Sequence, residues 1–215
     1  MGHADGICHC YIDSSADPDM ALNIAIDSKT QYVAVCNALE TLLVHQDIAR
    51  AFLPHFKKAA DEKHLELFGC RETLAVIPVM PATVEDWKTE YLDYKLSVKV
   101  VKDLDEAIDH INTYGSGHTD SIVTASSDQA ARFMSLVDSG NVFWNCSTRF
   151  SDGYKYGLGA EVGISTGKLH ARGPVGLEGL VIYKYNLIGH GQISADYATK
   201  KRTFKHKNIG REFPL

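Results

Sequence analysis

Cys36 stands in the stretch QYVAVCNALETLLVH, with the polar Asn37 directly behind it and a strand-like TLLVH beyond. Two readings of such a cysteine are open: a small hydrophobe packed in a core, or a nucleophile whose thiolate attacks an electrophilic carbon. An ordinary thiol is only a few per cent ionised at neutral pH, so the second reading needs electropositive help from a helix N-terminus or from backbone N–H groups. A helical turn beginning at Asn37 would supply it. Arg149 and Arg172 lie in a glycine-rich stretch, where a guanidinium can hold a carboxylate or phosphate through paired hydrogen bonds. The alternative is an arginine that stiffens the loop by pairing with Glu161 or Glu178. His118, in GSGHTDSIVT, either orients the loop before a strand or reaches a substrate. Cys8-His9-Cys10 has the residue types of a metal site, but alternation along a strand sends both cysteines to one face and His9 to the other, so packing is the better reading.

These residues must be carried by a scaffold, and the periodicity describes one. Residues 7–12 read as a strand, followed by Asp17 as N-cap and Pro18 at the first position of a helix to about residue 28. A second helix starts after Asp47 and is kinked or broken by Pro54 before Glu62, and short strands follow at 65–68 and 74–79. Then come a strand at 96–101, a helix opened by the capping box at Asp103 and running to Tyr114, a strand at 121–124, a helix at 127–137 and a strand at 141–145. Strands alternating with helices predict an α/β fold with a parallel sheet, whose chemistry gathers in loops beyond the carboxyl ends of the strands, here near Thr124 and Cys146. From Ser147 onward the chain is glycine-rich without a sustained period, the mark of a functional loop, and 180–188 reads as a long, partly exposed strand.

Composition narrows the function classes. The chain has 215 residues, 45% of them hydrophobic, and a formal charge of −5, with basic residues dispersed except in the tail around Lys200-Lys201-Arg202. That balance argues against nucleic acid as a partner. No apolar run approaches the roughly 18–20 residues a membrane span needs, and the first residues lack the pattern of a signal peptide, so no membrane partner and a cytoplasmic location are expected. Five irregularly spaced cysteines without a C-x-x-C pair point to free thiols in a reducing compartment. Gly115-Ser-Gly117 and Gly157-Leu-Gly159 are poor nucleotide loops, and no G-x-G-x-x-G or G-K-[ST] is present.

Taken together, VCNALETLLVH, GSGHTDSIVT, STRFSDG and GLGAEVGISTGKLHARGPVGLE resemble the γ-glutamyl phosphate reductases (glutamate-5-semialdehyde dehydrogenases), the proline-biosynthesis members of the aldehyde dehydrogenase superfamily. The similarity runs from about Gly2 to about Gly191. It implies the parallel-sheet catalytic domain of the aldehyde dehydrogenase-like fold over residues 1–179, then a C-terminal oligomerisation strand and tail over 180–215. The amino-terminal cofactor-binding domain of that family is expected to be largely absent from this chain, which would then be a carboxyl-terminal catalytic portion, inactive alone.

The resemblance also implies roles. Cys36 becomes the nucleophile, forming a thioester from γ-glutamyl phosphate that is reduced by NADPH, with Asn37 and nearby backbone N–H groups stabilising the oxyanion. Ser147, Thr148 and Arg149 in the STRFSDG loop, with His118, are implied in substrate binding, and Glu90 in cofactor binding at the nicotinamide ribose. His3 stands where broader relatives carry a water-activating Glu, a replacement that would protect a thioester from hydrolysis. A homo-oligomer is implied, and no metal. The competing readings are a non-catalytic structural or oligomerisation piece and another acylating aldehyde dehydrogenase with a different acyl donor.

Overall fold

A computed structural model describes residues 5–168 and 171–206. Seven strands form one sheet: β1 (Cys8–Ile12), β2 (Leu39–His45), β3 (Glu66–Gly69), β4 (Met80–Pro81), β5 (Lys95–Val101), β6 (Thr119–Val123) and β7 (Asn141–Trp144). Their spatial order is β4-β3-β5-β2-β1-β6-β7, and every adjacent pair is parallel. The crossovers carry α1 (Pro18–Thr30), α2 (Gln46–Glu62), α3 (Arg71–Leu74), α4 (Leu104–Tyr114) and α5 (Ser127–Leu136).

Side-chain caps start α1, α4 and α5, the first two at the residues the sequence predicts. Asp17 accepts from the Met20 N–H with Pro18 at the first helical position, Asp103 accepts from the Glu106 N–H, and Ser126 accepts from the Gln129 N–H. Side-chain alternation then sorts the core into two layers. Cys10, Ile12, Leu42 and Val44 face α1 and α2, packing with Ala21, Ala25, Phe52, Leu53 and Phe56. Tyr11, Leu43 and Ile122 face the opposite way, onto Leu104, Ile108, Ile111 and Phe133 of α4 and α5. The central strands are therefore buried on both sides.

Three expectations about elements are corrected. Residues 74–79 are not a strand: because β3 and β4 are parallel the chain has to cross over between them, and it does so in the single turn of α3, with Thr73 Oγ1 donating to the Val98 carbonyl. Pro54 does not break α2, which runs unbroken through it while burying Ala49, Phe52, Leu53, Phe56 and Ala60 along one face. That burial offsets the ~3 kcal/mol a helix-interior proline costs. The glycine-rich stretch is partly ordered: Thr148–Phe150 form a 3-10 turn, and β8 (Gly163–Ser165) pairs antiparallel with β9 (Gly173–Val175) before α6 (Leu177–Leu180). Strands of three residues are too short to leave a period in the sequence.

The chain divides into two units, Met1–Val181 and Ile182–Leu215. The predicted strand at 180–188, which straddles the boundary, pairs with no strand among the described residues; Leu180 closes α6 in the first unit, and Ile182, in the second, is 98% exposed. A strand needs a ladder partner, and the described residues supply none here. The second unit also holds α7 (Ser194–Ala198) and a stacked Tyr197–Phe204 pair with ring centroids 4.5 Å apart. Among the described residues no helix is long and apolar enough to cross a membrane.

Phe56 is fully buried and stacks on Phe52 with centroids 5.9 Å apart. Phe56→Ala is expected to lower the unfolding free energy by about 3–5 kcal/mol, read from the urea midpoint. A loss under about 1 kcal/mol would mean that this layer is not the core.

Candidate active site

A wholly parallel sheet gathers the amino ends of all its strands on one edge, and the predicted site residues collect there. Cys36 lies three residues before β2, His118 immediately before β6, and Glu90 in the loop that leads to β5. The expectation that the site forms at the carboxyl edge, near Thr124 and Cys146, is thus overturned. At that edge Asp13 Oδ2 accepts from Ser15 Oγ at 2.7 Å and from Thr124 Oγ1 at 2.8 Å, a cluster that satisfies itself.

The STRFSDG loop reaches the amino edge by turning back after β7. Asn145 makes the reversal with a left-handed φ of 55°, its side chain hydrogen-bonded to the Thr124 N–H and carbonyl at 2.9 and 3.0 Å. Residues 146–151 then run back past β6. Ser121 Oγ donates to the Cys146 carbonyl at 2.8 Å, and Thr119 Oγ1 donates to Ser151 Oγ at 2.8 Å. The loop closes over the cysteine segment: Thr148 Oγ1 donates to the Asn37 carbonyl at 2.7 Å, and Asn37 Nδ2 donates to the Ser151 carbonyl at 2.7 Å. Ser28 Oγ, on α1, donates to Ser147 Oγ at 3.1 Å and accepts from the Thr148 N–H at 3.2 Å.

Cys36 sits in a turn closed by the Ala38 N–H on the Val35 carbonyl at 3.0 Å. It does not open a helix, so the expected helical turn at Asn37 is absent and a helix N-terminus does not activate the thiol. Behind it the backbone of Gly6 presses so close that a Cβ there would stand 2.1 Å from the Cys36 carbonyl oxygen and 2.5 Å from its Cα. Only glycine permits this approach. Cys8, fully buried, donates its thiol to the same carbonyl at 3.3 Å, and His118 Nδ1 lies 3.8 Å from Cys8 Sγ and 2.8 Å from Thr119 Oγ1. His118 is therefore enclosed under the cysteine turn and has no open face toward a ligand in this structure.

The electrostatics at Cys36 are mixed. Burial pushes its thiol above the ordinary cysteine range, the charges of Glu90 and Glu161 push the same way, and Arg149 opposes them. Arg149 itself is partly buried, and desolvation holds its pKa below the usual value. Its Nε donates to Gln31 Oε1 at 2.9 Å, while its buried Nη1 has no hydrogen-bond partner among the described residues. The structure thus offers a positively charged group with an uncommitted donor near a half-buried thiol. The pairing of Arg149 with Glu161 does not occur: Glu161 Oε2 accepts the Gly153 N–H at 2.9 Å instead. Arg172 pairs with Asp138, Nη2 to Oδ1 at 3.1 Å. Among the described residues no cluster of His, Cys, Asp and Glu has the arrangement of a metal site, and His9 instead holds Asp120 at 3.1 Å. His3 lies outside the described residues.

Sequence reasoning missed Gly6, Ser28 and Ser151, and also the Lys29–Glu40 pair behind the site. Gly6 carries no signal apart from the backbone contact it permits. Glu40 does: it is the one charged residue in the apolar run LETLLV.

Residues 87–159 match the model of the aldehyde dehydrogenase family. The γ-glutamyl phosphate reductase of Acetivibrio thermocellus is 72% identical over 215 residues, covering 100% of this chain and 50% of that protein. The crystal structure of γ-glutamyl phosphate reductase from Thermotoga maritima superimposes with a TM-score of 0.86 at 46% identity, over 89% of this chain and 46% of that one. A glyceraldehyde-3-phosphate dehydrogenase GapN from Methanocaldococcus jannaschii, complexed with NADP, shares the fold with a TM-score of 0.54 at 18% identity, over 68% of this chain and 41% of its own. The chain spans about half the length of the curated relatives it matches.

Gly6→Ala is expected to force the cysteine turn away from β1, lowering stability by about 1–3 kcal/mol and changing the alkylation rate of Cys36. Thermal unfolding and peptide-resolved alkylation check both. An unchanged rate at Cys36 would show that the close approach does not set the thiol's surroundings.

Proposed function

Since this chain is a relative of the γ-glutamyl phosphate reductases, matching about half of their length, we propose that it is the cysteine-bearing catalytic half of an acyl-phosphate reductase. The observation that carries this reading is the convergence at one sheet edge of a half-exposed Cys36, a cation with a bare buried donor at Arg149, and the carboxylate of Glu90. The substrate is γ-glutamyl 5-phosphate and the product glutamate 5-semialdehyde, a step of proline biosynthesis, in the cytoplasm.

Cys36 thiolate attacks the acyl carbon of the substrate; the C–S bond forms, and the C–O bond to phosphate breaks with its electron pair leaving on phosphate. Arg149 favours the thiolate by charge, and its free Nη1 is suited to an anionic group of the substrate, with Ser147 and Thr148 fixing the loop that carries it. Asn37 holds the turn in place through Ser151 and Thr148, so the oxyanion meets backbone N–H groups of fixed orientation. His118 acts from beneath, through Cys8 and the Cys36 carbonyl, as a positioning residue.

Glu90, only partly buried and with its charge bearing on the thiol, would hold the ribose of a nicotinamide cofactor near Cys36. When bound, the reduced cofactor, NADPH in this reading, supplies the hydride that turns the thioester into the semialdehyde. Most of the cofactor-binding domain belongs to the other half of the relatives' length. Within the carboxyl-terminal segment 180–215, residues 180–188, with Ile182, Tyr183, Tyr185 and Leu187 largely exposed, would become the oligomerisation strand on pairing with another copy in a homo-oligomer, the remainder being a tail.

NADPH oxidation with γ-glutamyl phosphate, assayed for the chain alone and together with the other half of the relatives' length, tests the reading. Turnover is expected only in the second case. Cys36→Ser should abolish it with the fold intact, and full activity in that variant would sink the mechanism. Arg149→Lys should raise KM several-fold, since a point charge cannot reproduce a guanidinium contact, and an unchanged KM would return Arg149 to a structural role.

A further inference from the structure

Lys29 on α1 and Glu40 on β2 form an ion pair, Nζ to Oε2 at 2.7 Å, with both side chains wholly shielded from solvent. Such a pair is seldom more stable than well-packed apolar side chains of the same size, so stability alone is a weak reason for it. Its surroundings supply another. Lys29 Nζ lies 5.9 Å from the centre of the Tyr91 ring; burial pushes the Glu40 carboxyl up to about 7, opposed by Lys29 and by the backbone amides of Tyr91 and Leu92, although Glu40 Oε1 makes no close hydrogen bond among the described residues. The pair therefore sits directly against the 90–92 loop.

That loop is strained and tightly pinned. Leu92 has a φ of 52°, in the left-handed region that leucine rarely adopts, at a cost of about 1–3 kcal/mol. Tyr91 is held at both ends: its hydroxyl hydrogen-bonds with Asp86 Oδ1 at 2.8 Å and Ser97 Oγ at 2.9 Å, and its ring stacks on Phe68 at 5.6 Å. Backbone strain persists only where the surroundings over-determine it. The residue that adjoins this conformation is Glu90, in the loop leading to β5; Cys36 precedes β2, which pairs in parallel with β5, so both stand at the same amino edge, and the Glu90 charge bears on the thiol.

We propose that the buried Lys29–Glu40 pair is a positioning device that holds the strained 90–92 loop and thereby sets the placement of Glu90 against Cys36. Glu40 lies in β2, and Cys36 stands four residues before it in the turn that leads into that strand, so the pair ties the cysteine turn and the Glu90 loop to a single rigid element. Lys29 and Glu40 act through Glu90 and touch no reacting atom. The use of Glu90 toward a cofactor rests on the function proposed above; the placement itself does not.

The test reads Cys36 alkylation against pH, by peptide mass spectrometry, in four forms of the 215-residue chain: unaltered, Lys29→Met/Glu40→Leu, Glu90→Gln, and all three substitutions together. The apolar pair is chosen because it replaces buried charges without leaving one unpaired. Each of the first two changes is expected to move the Cys36 profile to lower pH and to speed alkylation near neutrality several-fold, because the Glu90 charge then no longer opposes the thiolate. The combination is expected to add nothing to Glu90→Gln. A profile that the Lys29/Glu40 change leaves in place or moves to higher pH, or moves equally with and without Glu90, overturns the proposal. Should the apolar pair not fold, Glu40→Gln in the same two backgrounds is held to the same outcomes. Neither NADPH nor γ-glutamyl phosphate enters the measurement, so a failure of the reductase reading would leave this result standing.

Discussion

All seven strands of the sheet run the same way, and the placement of the site follows from that constraint. Parallel pairing puts the amino ends of β1, β2, β5 and β6 side by side, which brings Gly6, Cys36, Glu90 and His118 to one edge although they span more than half of the chain. It also forces each connection to cross the sheet, so α1 and α2 cover one face and α4 and α5 the other, leaving the central strands dry on both sides. The STRFSDG loop joins the same edge only because Asn145 accepts a left-handed backbone and turns the chain back.

At this edge, packing and charge pull in different directions. The approach of Gly6 to Cys36, the Cys8 thiol on the Cys36 carbonyl, and the Thr148 and Ser151 contacts to Asn37 all fix the cysteine turn rigidly. Rigidity of this kind costs burial, and burial disfavours a thiolate. Arg149 offsets part of that cost, while Glu90 and Glu161 add to it. The thiol is therefore held in place, and its surroundings on balance disfavour the thiolate.

Much of the scaffold was legible in the sequence because the signals were local: the caps at Asp17 and Asp103, Pro18 at a helix start, and the alternation Tyr11/Ile12 and Leu42/Leu43 along buried strands. The sequence named candidate site residues but not the sheet edge on which the fold places them. Nothing local distinguishes the amino edge from the carboxyl edge of a sheet, and the reversal at Asn145 depends on a backbone conformation that the run NVFWNCS does not announce. The residues 74–79 look like a strand by composition and are a crossover by topology, a tertiary override of local preference. His118 was read as either a loop-orienting or a substrate-reaching residue, and its burial beside Cys8 and Thr119 came from packing that no motif encodes.

The central claim is that Cys36, and no other cysteine of the chain, accepts the acyl group. The most direct measurement is the mass of each cysteine peptide after the protein, paired with the other half of its relatives' length, is supplied with γ-glutamyl phosphate generated in place and no hydride donor. A thioester-forming Cys36 predicts a glutamyl adduct on its peptide alone, released by hydroxylamine and absent in Cys36→Ser. An adduct on Cys8, Cys10, Cys70 or Cys146, or NADPH-dependent turnover without any adduct at Cys36, would contradict it.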